Sequence, residues 1–136
     1  MTYTATASRT IAGMSPLRLA YELDGIMTLV SGIALMALAG VLDSPLGLST
    51  PLLLGVGAFF TAYAIGVLIV ATRKNIPRKP AAVIAGINAF WTLDSLITLA
   101  AGWIEPTTLG TIGVLFIAAF TALMAAAQVY TLRTDR

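Results

Sequence analysis

The 136 residues include no cysteine and no histidine. Without cysteine there is no disulfide, no thiol nucleophile and no thiolate metal site. Without histidine there is no imidazole base, no axial haem ligand and no usual zinc chemistry. Charge is scarce as well: Asp, Glu, Lys and Arg make up 10% of the chain against 58% hydrophobic residues, and the mean hydropathy is +0.92. A soluble domain of this size cannot cover itself with so few charges, so lipid must replace the polar surface. Enzyme signatures are missing too. No Gly-rich phosphate loop, HExxH or GxSxG is present, so no catalytic residue, metal ligand or cofactor is assigned. The apparent pI of 9.3 rests on a net charge of only +2 and implies no nucleic-acid partner.

What is present is regular punctuation. Pro16, Pro51, Pro80 and Pro106 each precede a long apolar run, and proline suits a first helical turn, where its missing N–H would have no partner. Ser15 and Thr50 stand where N-caps are wanted. The pattern predicts an all-α, polytopic membrane protein: a bundle of four transmembrane helices over 16–42, 51–73, 80–104 and 106–133, each at least the ~20 residues that a hydrocarbon core requires. Residues 1–15, rich in Thr, Ala and Ser, read as a flexible cytoplasmic tail, and 16–136 as a single domain. The "ALA" at 37–39 mimics a signal-peptide cleavage site, but Glu22 and Asp24 precede it and helix 1 is expected to be retained.

All eight basic residues fall at one end of this scheme. Arg9 and Arg18 flank the start of helix 1, Arg73, Lys74, Arg78 and Lys79 mark the middle loop and its edges, and Arg133 and Arg136 flank the end of helix 4. The loops around Asp43 and Glu105 have none. The positive-inside rule then puts both termini and the middle loop in the cytoplasm of a multi-pass cell-membrane protein.

The halves of the chain, about 16–73 and 80–133, also resemble each other. Aligning "DGIMTLVSGIAL" (24–35) with "NAFWTLDSLITL" (88–99) pairs Thr28 with Thr92 and Ser31 with Ser95, and sets Asp24 opposite Asn88. This predicts a bundle of two parallel-repeat helical hairpins. Asp24, Thr28 and Ser31 lie at i, i+4 and i+7 and form a polar stripe, as do Asn88, Thr92 and Ser95. Polar side chains avoid lipid, so the stripes are expected to face inward and each other. Helices 2 and 4 carry small residues every four positions, Ala58, Ala62, Gly66 and Ala118, Ala122, Ala126, expected to let helices approach closely. Tyr21, Trp103 and Tyr130 read as interfacial anchors.

Depth separates the polar groups. Asp24, Asn88 and Gln128 share one level, about two turns inside the cytoplasmic end, and are expected to form a polar pocket opening to the cytoplasm. Asp94 is deeper, on the face shared with Trp91 and Thr98, and no Lys or Arg lies at its depth. An ionised carboxylate at a helix centre costs on the order of 2.5–3.5 kcal/mol by insertion scales. The expectation is a protonated Asp94 bonded to Thr61, Thr121, Ser95 or Tyr63, with a proton relay or ligand anchor as the functional alternative.

The stretches "LRLAYELDGIMTLVSGIALMALAG" and "INAFWTLDSLITLAAGWIEPTTLGT" resemble the small four-helix membrane proteins grouped around the DoxX-like families. The resemblance rests on an Asn-x-x-Trp, a mid-helix Ser and a helix-start Pro-Thr. It implies the fold and, for some relatives, quinone-linked redox work or a place in a membrane complex. Any thiol-based version is excluded by the absence of cysteine, so only the fold is carried over. Three function classes follow. The chain binds an apolar, lipid-like ligand or serves as a non-enzymatic subunit of a larger membrane complex; it is a proton-coupled transporter or channel working as a homodimer; or it is a membrane enzyme acting on a quinone or lipid. Membrane lipid is the expected surrounding partner in each.

Overall fold

A computed structural model describes residues 15–134, and the proposed N-terminal tail lies almost wholly outside the described residues. Within them the chain forms four helices: α1 (Pro16–Leu46), α2 (Thr50–Ala71), α3 (Arg78–Ala101) and α4 (Thr108–Thr134). All four are long and apolar enough to cross a membrane, with mean hydropathy of 1.5 for the best window of α3 and 2.2 to 2.3 for the others. The outward faces are apolar: Phe90 is 67% and Phe116 71% exposed. Rings so placed would be unfavourable in water and are at home in acyl chains, so the chain is a multi-pass membrane protein.

The helix ends depart from the expected bounds for local reasons. α1 continues four residues past Leu42 through Pro45 and stops at Gly47, whose φ of 67° suits a residue without Cβ. Ser49, not Thr50, caps α2, its Oγ accepting from the Leu52 N–H at 3.2 Å. Thr50 instead donates to Asp43 Oδ2 at 2.6 Å, and Asp43 Oδ1 accepts from the Ser44 N–H, which ties the end of α1 to the start of α2. α3 begins two residues before Pro80 and ends at Gly102, again left-handed. α4 begins after Pro106 because Thr107 is the cap: its Oγ1 accepts from the Gly110 N–H. Thr107 also closes the open end of α1, donating its N–H to Leu46 O at 3.0 Å and its hydroxyl to Pro45 O at 2.7 Å. The two short loops therefore satisfy each other's terminal backbone groups.

At the opposite end, arginines do the same work. The Arg18 guanidinium donates to the carbonyls of Ala71, the last residue of α2, and of Arg73 and Lys74 just beyond it, and Arg78 donates to Leu132 O in the last turn of α4 at 2.6 Å. Positive charge at a helix C-terminus also complements the helix dipole. Two residues singled out for their topological signal are thus helix caps as well.

α1 packs most closely on α2, and α3 on α4; α1 also contacts α4, whereas α2 and α3 scarcely meet. α1 and α3 are diagonal, so their polar stripes meet only where long side chains cross the centre. The α1–α2 contact is close because Gly32 faces Gly57. A Cβ on Gly32 would stand 2.6 Å from Thr61 Oγ1 and 2.8 Å from the Gly57 carbonyl. The small-residue ladders are not the reason. Ala58, Ala62 and Gly66 are exposed, as are Ala122 and Ala126; of the six only Ala118 is buried. The inward stripe of α2 is Leu53, Gly57, Phe60, Ala64, Val67 and Ala71. That stripe is rotated from the ladder, so the expected role of the ladders in packing within the bundle is corrected.

Candidate functional site

Asp24 lies at the centre of the structure with no exposure to solvent. Its carboxylate receives a hydrogen bond from every helix. Tyr63 Oη of α2 donates at 2.9 Å, Asn88 Nδ2 of α3 at 2.9 Å and Gln128 Nε2 of α4 at 2.8 Å, all to Oδ2; Thr28 Oγ1, one turn along α1, donates to Oδ1 at 3.2 Å. Asn88 Nδ2 also donates to Gln128 Oε1 at 3.0 Å. Buried polar groups are costly without partners, and here the donors of three helices converge on one acceptor oxygen.

The structure thus brings Asp24, Thr28, Asn88 and Gln128 together. It adds Tyr63, an expected partner of Asp94 that bonds to Asp24 instead. A mid-helix tyrosine must find a partner for its hydroxyl when buried, and that was the available signal. The expected opening toward the basic end is corrected. A packed layer including Leu17, Tyr21, Val67, Ala81 and Ile84 closes that side. Tyr21 is fully buried rather than interfacial, donating its hydroxyl to Ala81 O at 2.7 Å. Trp103 and Tyr130, both 69% exposed, do lie outward.

On its other side the cluster borders a cavity of about 60 Å³ between the four helices. Thr28, Tyr63, Asn88 and Thr121 supply its polar wall, with the half-buried Ser31, whose hydroxyl turns back to Met27 O at 2.8 Å. Phe59, Phe60, Trp91, Phe116 and Phe120 supply most of the rest, with Met27, Ile87 and Ile117. Trp91 stacks on Phe59 with centroids 5.4 Å apart and meets Phe60 edge-on at 5.0 Å. These rings are the principal bridge across the gap between α2 and α3. Thr92 stands beside the cavity, within 2.6 Å of Thr121 Oγ1 and donating toward Ala118 O, and knits α3 to α4.

A second cavity, about 190 Å³, lies toward the short loops, and Trp91 and Ile117 line both. Its walls are mainly aliphatic residues of α1, α2 and α4, including Leu35, Leu53, Val56 and Val114, while α3 contributes Trp91 and the polar Asp94, Ser95 and Thr98. Asp94 is exposed and makes no hydrogen bond among the described residues. Three of its four expected partners are engaged elsewhere: Thr61 donates to Gly57 O, Thr121 pairs with Thr92, and Tyr63 serves Asp24, while the neighbouring Ser95 makes no hydrogen bond to it. The interhelical hydrogen bond expected for Asp94 is therefore not formed. It stands in the last third of α3, about 10 Å from the helix end at 1.5 Å per residue, nearer the short loops than the middle of the helix.

Comparison with protein-family models, curated proteins and solved structures returns no match. The site consists of a closed carboxylate cluster, a ring-rich cavity next to it and a larger, mainly aliphatic cavity beyond.

Proposed function

We propose that this protein is a non-enzymatic binder of a small apolar or lipid-like ligand that enters from the membrane between α2 and α3. The observation that carries this reading is the pair of cavities stacked on either side of Trp91, lined by all four helices and flanked by the least packed helix pair. An engineered apolar cavity of about 150 Å³ holds benzene. The larger cavity is of that order, at about 190 Å³, and its few polar groups suit a ligand with one polar end. The reading also accommodates the absence of enzyme signatures. The DoxX-like resemblance and the duplication of a helical hairpin remain proposals about origin and do not enter this argument.

Trp91 offers a direct test, since the chain has only two tryptophans. The Trp103→Phe protein, reconstituted in phosphatidylcholine vesicles brominated along the acyl chains, should show strong quenching of Trp91. Protection of Trp91 in those vesicles, while an exposed Trp103 in the Trp91→Phe protein is quenched, would mean that acyl groups do not reach the cavities.

We further propose that the termini and the middle loop are cytoplasmic, supported by the confinement of Lys and Arg to that end. With no native cysteine, Glu105→Cys should react with an impermeant maleimide from outside intact cells, and Lys74→Cys only after permeabilisation. The reverse pattern would invert the orientation.

A further inference from the structure

Asn88 is 2% exposed, and its side-chain amide is only partly used. Nδ2 gives one hydrogen to Asp24 and one to Gln128, while Oδ1 receives no donor among the described residues. Among the described residues no fully enclosed side-chain oxygen or nitrogen lacks a partner, so this oxygen must face open space, and the aromatic cavity is the open space that Asn88 lines. The cavity thus has an unused acceptor at its polar wall. Beside that acceptor stands a carboxylate one side chain away, since Thr28, Tyr63 and Asn88 each touch both the cavity and Asp24. No Lys or Arg lines the cavity. Five rings dominate the remaining wall, beside Met27, Ile87 and Ile117, and ring faces attract cations. An unpaired acceptor, an acidic group without a basic partner and a set of rings favour the same guest.

We propose that the aromatic cavity binds the protonated amino group of a small hydrophobic amine, with Asn88 Oδ1 accepting its N–H, Asp24 supplying the opposite charge and Trp91 and Phe60 the π faces. This rests on the reading of the stacked cavities as a ligand site and specifies the ligand's polar end. A neutral isostere lacks the charge, and a quaternary ammonium lacks the N–H. Low local dielectric strengthens the attraction between the guest and Asp24.

The test uses the full-length Trp103→Phe protein in mild detergent with propylamine, protonated at neutral pH, as the probe and 1-propanol as its neutral counterpart. Trp91 fluorescence should change saturably with propylamine and not with 1-propanol at equal concentration. Tetramethylammonium should compete at least tenfold more weakly than propylamine. Asp24→Asn, which keeps an acceptor for the three donors, should weaken propylamine binding at least tenfold. Equal responses to amine and alcohol, no saturable response to the amine, or undiminished binding in folded Asp24→Asn would each overturn the proposal. If Asp24→Asn does not fold, the amine-to-alcohol comparison on the otherwise native chain decides alone. Quenching of Trp91 by brominated chains without any amine response would sink this inference and leave the apolar-ligand reading standing.

Discussion

Asp24→Leu is expected to cost about 3 kcal/mol or more of stability, the largest loss for a single polar residue in this protein. The side chain is enclosed, and its replacement strands Tyr63 Oη, Asn88 Nδ2 and Gln128 Nε2 around one lost acceptor. An unsatisfied buried donor costs about 1–3 kcal/mol. A single interhelical hydrogen bond in a membrane bundle contributes on average only about 0.6 kcal/mol, because the unfolded chain in lipid also finds partners. One substitution here removes the acceptor of three helices at once. Asp24→Asn should be milder, about 1 kcal/mol, since its remaining oxygen can accept the three donors and its new amide can donate to Thr28 Oγ1. Reversible unfolding in mixed micelles would measure both. A leucine variant as stable as the native protein would mean that the cluster does not hold the helices together.

The second large effect concerns backbone contact. Gly32→Ala should destabilise by about 1–3 kcal/mol, the range for overpacking a close contact. The new methyl would meet Thr61 Oγ1 at 2.6 Å and backbone atoms of Gly57 and Thr61 at 2.8 Å, and backbone cannot rotate away. Gly110→Ala should be at least as damaging, because its methyl would overlap the Leu46 carbonyl that already accepts from Thr107. Gly66→Ala is the control. Nothing lies within 4 Å of a Cβ there, so the change should be neutral or slightly stabilising through helix propensity. Thermal unfolding of the three variants would check the order. A Gly66→Ala loss as large as that of Gly32→Ala would place the helix interfaces elsewhere.

Much of the architecture was legible in the sequence because membrane insertion imposes coarse rules. Twenty apolar residues must be helical in lipid, since backbone groups find no other partners there. Proline and serine mark helix starts, and polar side chains at a four-residue spacing must turn from lipid. These rules alone yield four helices with an inward Asp24–Asn88–Gln128 level. Small residues every four positions carry no comparable constraint, because they are tolerated facing either lipid or protein. The rotation of α2 was decided by the fit of Gly32 to Gly57, which no periodicity in a uniformly apolar helix reveals. The partners of hydroxyls were likewise undecided. Tyr63 could have reached Asp94 or Asp24 by depth, and only the packing of α1 on α2 gives it to Asp24. Composition and spacing therefore determined that this chain is a four-helix membrane bundle with a polar level inside it. The tertiary structure alone decided that Asp24 is closed in by four helices, that Asp94 lines a cavity without a hydrogen-bond partner among the described residues, and that a ring-lined space separates them. The reason is physical: hydropathy fixes which segments enter lipid, whereas side-chain contacts depend on helix rotation and approach, which only packing sets.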